Sequence, residues 1–188
     1  IAAIANELLL QDHMLAGARN DNERLYYLGY ALEQMRGTFY RQVMFSEFEL
    51  AIHEAVERGE ALTGSRMTQI YGEILKRYHG HDSGVMTITD REMIEWAYIP
   101  HFYYNFYVYQ YATSIAGAAY FVDRLQSGSD TARETYIKFL EAGGSAYPLD
   151  ILRSAGLDMT NRAPYDAVID RMDAVMDEIE LILDARGS

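Results

Sequence analysis

The residues best suited to chemistry lie at positions 99–114, in the run I-P-H-F-Y-Y-N-F-Y-V-Y-Q-Y-A-T-S. Tyr104, Tyr107 and Tyr111 recur at steps of three and four, the spacing that aligns side chains along one face of a helix. His101 stands one turn before them. A core helix normally carries Leu or Phe at such positions, because a buried hydroxyl needs a hydrogen-bond partner. The stripe therefore reads either as a wet, concave surface that binds a ligand through hydrogen bonds, or as a helix whose hydroxyls reach backbone carbonyls and water. Spacing alone leaves both open.

Three further groupings contain metal-ligand residue types. His53-Glu54 begins like the zinc motif H-E-x-x-H, but Glu57 occupies the place of the second histidine. Two imidazoles four residues apart on one helix face are what grip the metal, so this site is incomplete. Glu49 and His53 suggest a di-metal carboxylate bundle. That architecture needs Glu-x-x-His on two helices, and here the spacing is four and occurs once. His79-Gly80-His81-Asp82 contains three ligand types in a short loop, a pattern that is more often simply solvated.

The elements that must carry these residues read as helices. Apolar side chains at Ile1, Ile4, Leu8 and Leu15 predict a helix over residues 1–15, followed by a turn at 17–22. A long pattern over 23–58 places Leu25, Leu28, Leu32, Met35, Phe39 and Val43 at helical spacing and ends at Gly59. Thr63 caps a helix that runs to Tyr78, and 79–89 is a glycine-containing loop. Asp90 is positioned to cap a short helix over 91–98, which stops near Pro100 because proline disfavours the helical conformation in the residue before it. The aromatic run predicts one helix over 102–121. Helices follow over 130–142, after Pro148, and from about Pro164 to Ala185. This is an all-α chain, a compact bundle of about seven helices read as a single segment, 1–188.

Bulk composition narrows the function. The 188 residues are 49% hydrophobic and 23% charged, which supports a packed core and opposes disorder. A net charge of −12 opposes the phosphate-neutralising surface of a nucleic-acid binder and disfavours an anionic membrane surface. The most apolar stretch, 106–122, is too short and too polar to span a bilayer. There is no cysteine, so disulfides and thiolate metal sites are impossible, and the chain suits a reducing compartment. It opens at Ile1 within a helical pattern and without a capping residue, which we read as a fragment of a longer protein.

At the aromatic run the sequence resembles the oligoendopeptidase F family, relatives of thimet oligopeptidase. The run is similar to that family's I-P-H-F-Y-x-x-F-Y-V-Y-Q-Y-A. Arg41, Gln42, Phe45, Glu47, Phe48 and Glu49 resemble its R-Q-x-x-F-x-E-F-E. Gly143-Gly144-Ser145, Pro148 and Leu152 through Ala155-Gly156 to Asp158-Met159 resemble its G-G-S-x-x-P…L-x-x-A-G-x-D-M. The resemblance implies the C-terminal helical part of a zincin-type oligopeptidase catalytic domain. Such enzymes are hydrolases that cut internal bonds of short peptides with a zinc held by H-E-x-x-H and a later glutamate. The opening Ile1-Ala2-Ala3-Ile4-Ala5-Asn6-Glu7 fits the segment that begins one residue after that glutamate, with Ala3-Ile4 in place of its Ser-Thr pair.

By the same resemblance, His101, Tyr104 and Tyr111 are expected to stabilise the oxyanion, and Tyr107 and Tyr109 to hold the peptide substrate. Glu7, seven residues past the missing ligand and on its helix face, is expected to orient a zinc histidine, or else to be an ordinary surface glutamate. Zinc is expected in the full-length enzyme and not in this chain alone, which is expected to be inactive. The expected partners are short peptides and the missing N-terminal part of the same enzyme, with no nucleic acid and no membrane, in the cytoplasm. Two alternatives stand beside it: a non-enzymatic helical peptide-binding module, and a di-metal carboxylate bundle.

Overall fold

A computed structural model of the chain describes residues 1–187. Among them every regular element is helical, so the fold is all-α as the sequence implies. Eight α-helices run in the order α1 (Ala2–Ala16), α2 (Asp21–Met35), α3 (Arg41–Glu57), α4 (Gly64–Tyr78), α5 (Tyr109–Gln126), α6 (Asp130–Ala142), α7 (Pro148–Ser154) and α8 (Ala163–Gly187). No helix is long and apolar enough to cross a membrane among the described residues.

The long pattern over 23–58 is not one regular helix. A π-helical segment, Arg36–Tyr40, separates α2 from α3. The buried positions explain it: Leu28, Ala31, Met35 and Phe39 step by three and four, and the next, Met44, is five on. A π-turn admits one extra residue and absorbs that step. Thr63 and Gly59 mark boundaries as expected, and Asn20, inside the expected turn, adds a cap that starts α2 at Asp21. Asn20 and Thr63 accept the backbone N–H groups of Glu23 and Arg66, and Gly59 leaves the α3 end at φ +82°.

The chain forms two compact units. In the unit of residues 1–39 and 111–187, α2 packs along α8, with Arg24 paired to Glu178. Helix α5 buries Ala112, Ile115, Ala116, Gly117, Ala118 and Ala119. A Cβ on Gly117 would lie 2.8 Å from Ile1 Cδ1 and 3.1 Å from Leu157 Cδ2, so only glycine lets α5 approach those side chains this closely. Asp12 pairs with Arg171 and accepts from Gln126 Nε2 at 2.6 Å, and burial pushes the nearby Asp123 carboxyl up.

The unit of residues 40–110 is the one that carries the aromatic run. Helices α3 and α4 pack face to face around Met44, Phe45, Phe48, Ile70, Tyr71, Ile74, Leu75, Ile88 and Val108. Full burial of each larger side chain contributes about 1.5–3 kcal/mol. A 3₁₀ helix, Glu92–Tyr98, lies across α4, and Trp96 Nε1 donates to Thr68 Oγ1 at 3.1 Å. Its start is organised by Thr89 rather than Asp90: Glu92 accepts from both the backbone N–H and the hydroxyl of Thr89, closing the turn locally.

Candidate functional site

The aromatic run departs most from its sequence pattern. The single helix expected over 102–121 does not form. Instead Pro100–Tyr104 makes a short 3₁₀ turn, the backbone breaks, and α5 begins only at Tyr109. Asn105 (φ 50°) and Phe106 (φ 59°) adopt the left-handed conformation in succession. Asn tolerates it, but a bulky aromatic does not do so without support, at a cost of order 1–3 kcal/mol. Tyr104, Tyr107 and Tyr111 therefore do not line one helix face: the break separates Tyr104 from Tyr107, and Tyr111 stands two residues into α5.

The break nonetheless assembles three of the expected residues. The His101 and Tyr107 rings stack with centroids 5.8 Å apart and planes 18° from parallel. Tyr104 meets His101 edge-on at 6.1 Å and Tyr107 edge-on at 5.9 Å. Each pair lies within the range of attractive aromatic geometry. The triangle faces outward, with Tyr104 62% and Tyr107 37% exposed. Tyr109 is half exposed, and Tyr111 is partly buried. In the other unit, Glu7 is exposed on α1 and accepts from Gln34 Nε2 at 2.7 Å.

The support for the break comes from α3. Glu49 is 1% exposed, the only fully buried charged side chain among the described residues. Its Oε1 accepts the Phe106 backbone N–H at 2.7 Å. One turn on, the His53 ring lies 4.4 Å from the Phe106 ring. Glu49 and His53, grouped above as a fragment of a di-metal pattern, instead anchor the backbone of the aromatic run. A signal for Glu49 was present. Its position continues the inward stripe of Phe45, Phe48 and Ile52, and a carboxylate in such a stripe requires a hydrogen-bond donor. Beneath the run the base is stiff: the buried Tyr71 hydroxyl donates to Glu95, which also pairs with Arg41. Burial and that carboxylate push the Tyr71 hydroxyl far above its usual range.

The remaining metal-like groupings are occupied by local structure. In the 79–82 loop, His79 Nδ1 donates to the Leu75 carbonyl at 2.9 Å and His81 Nδ1 accepts the Ile88 N–H at 3.0 Å. Glu54 lies 3.8 Å from Arg58 on the exposed end of α3. Among the described residues no three His, Asp or Glu side chains converge to hold a metal.

Comparison with known proteins identifies the family and the fold. A profile described as "Peptidase family M3" matches residues 1–171. The chain is 41% identical over 184 residues to the oligopeptidase PepF of Bacillus subtilis, covering 97% of this chain and 27% of that protein. It is 39% identical over 186 residues to the plasmid-borne oligoendopeptidase F of Lactococcus lactis subsp. cremoris, covering 98% of this chain and 30% of that one. The crystal structure of oligoendopeptidase-F from Enterococcus faecium superposes with a TM-score of 0.92 at 32% identity, over 98% of this chain and 35% of that chain. The chain thus spans under a third of the length of the curated relatives described here.

Proposed function

The chain belongs to peptidase family M3, and we propose that it is the C-terminal helical part of a zinc-dependent oligoendopeptidase that hydrolyses internal bonds of short peptides. The observation that carries this reading is the outward-facing triangle of His101, Tyr104 and Tyr107, built by a segment whose motif resembles the family's. When water adds to a peptide carbonyl, the oxygen gains negative charge, and donors already aimed at it lower the barrier. His101, Tyr104 and Tyr111 are the donors in this proposal. A tyrosine hydroxyl suits that task because it donates without requiring a charge to be buried.

Tyr107 and Tyr109 hold the peptide backbone, and the stacking of Tyr107 on His101 restricts both rings before substrate arrives. Glu7, which accepts from Gln34, would orient a zinc-bound histidine through the ring's other N–H. The H-E-x-x-H pair and the zinc, which would supply an acidified water, belong to a part of the protein outside this chain. The absence of cysteine supports a cytoplasmic location. The test is direct. The complete protein should cleave an internally quenched short peptide and lose that activity on chelation. The 188-residue chain alone should neither cleave it nor retain one zinc after dialysis. Tight one-to-one zinc binding by this chain would defeat the division of labour proposed.

A further inference from the structure

We infer that Glu49 is a positioning residue for the His101–Tyr104–Tyr107 wall, acting through the Phe106 backbone; this role rests on the peptidase reading for its catalytic consequence but not for its geometry. Along an α-helix six residues turn through about 600°, so positions 101 and 107 would point away from each other. Here their rings stack at 5.8 Å. The reversal that brings them together is made by Asn105 and Phe106, both at positive φ. A bulky aromatic keeps that conformation only where its surroundings hold it.

Two contacts from α3 do so: Glu49 Oε1 takes the Phe106 N–H at 2.7 Å, and His53 packs against the Phe106 ring at 4.4 Å. Glu49 is the decisive one, because its carboxylate is buried away from water and holds the Phe106 backbone itself through a charge-assisted hydrogen bond. It lies on the α3 stripe between Phe48 and Ile52, within the packed core of its unit. The geometry of the wall is thus set by α3 and transmitted through one hydrogen bond.

In the complete peptidase, Glu49→Ala should lower kcat roughly 30-fold, the scale of a small misplacement of catalytic groups, with KM within about threefold. Glu49→Gln keeps an oxygen for the Phe106 N–H and should recover most of the loss. In a His101→Ala background, Glu49→Ala should add less than about threefold, because the wall it steers is already broken. Fully additive losses would mean that Glu49 supports the fold alone, and would overturn the inference. Should Glu49→Ala fail to fold, Glu49→Leu fills the same space without an acceptor and replaces it.

Amide exchange of residues 103–108, followed by mass spectrometry, reads the contact without catalysis. It should quicken in Glu49→Ala or Glu49→Leu and not in Glu49→Gln, while α4 is unchanged. Unaltered protection of 103–108 would overturn the inference even in an active enzyme. Lost protection in a protein that cleaves no peptide would support the positioning role and sink the peptidase reading instead.

Discussion

Between Pro100 and Val108 the backbone makes one 3₁₀ turn and two left-handed residues, and leaves Tyr103, Tyr104, Phe106 and Tyr107 open to solvent. From Tyr109 to Gln126 it runs as an unbroken α-helix that buries a stripe of Ala, Gly, Ile, Phe and Val. The two segments are adjacent, and the tyrosines at helical spacing, Tyr104, Tyr107 and Tyr111, run across both. They differ in what satisfies the backbone. Helix α5 supplies its own hydrogen bonds and is held by close packing of small side chains. Segment 100–108 depends on a carboxylate from α3 for the N–H of Phe106. Regular structure gives stability at α5. At 100–108 an irregular backbone orients exposed side chains that a helix would scatter.

That contrast can be broken by experiment. Ile115, 1% exposed on α5, should matter only to stability. Ile115→Ala should cost about 2–5 kcal/mol in urea unfolding, with turnover per folded molecule preserved. A loss of turnover there would bring α5's buried face into the chemistry. Tyr111→Phe and His101→Ala in the complete enzyme should each lower kcat roughly 10²-fold, the loss expected for one oxyanion donor. Tyr120→Phe, further along α5, should not, because that hydroxyl already donates to the Gly156 carbonyl at 2.9 Å. Near-normal turnover in a folded Tyr111→Phe protein would confine the donors to the irregular segment. The smallest effect is expected at Asn105, φ 50°. Asn105→Ala should cost about 1–2 kcal/mol, since alanine lacks asparagine's tolerance of that conformation, and Asn105→Gly should cost less. A stabilising Asn105→Ala would show that the turn is not strained.

Most of the helices were legible before the structure. Helical patterns located α1 and α6, Thr63 and Pro164 located the starts of α4 and α8, and Thr63 and Gly59 mark boundaries by local chemistry that needs no tertiary partner. The π-turn at Arg36–Tyr40 was harder to see, because Val43 continues the helical spacing from Phe39 and hides the five-residue step to the buried Met44. The aromatic run misled for a related reason. Steps of three and four among tyrosines satisfy a helical pattern, and that pattern says nothing about a competing partner for the backbone. Asn105 was the one local hint, amid Phe, Tyr and Val of middling helix propensity.

The sequence by itself determined that this chain is helical, that it has no thiol chemistry, and that it carries the motifs of a peptidase family, since these rest on periodicity, composition and residue identity. Only the tertiary structure decided which of the aromatic residues meet. His101, Tyr104 and Tyr107 come together because Glu49, far away along the chain, is buried where the Phe106 N–H can reach it. A contact between residues 57 positions apart is a property of packing, and no local pattern encodes it.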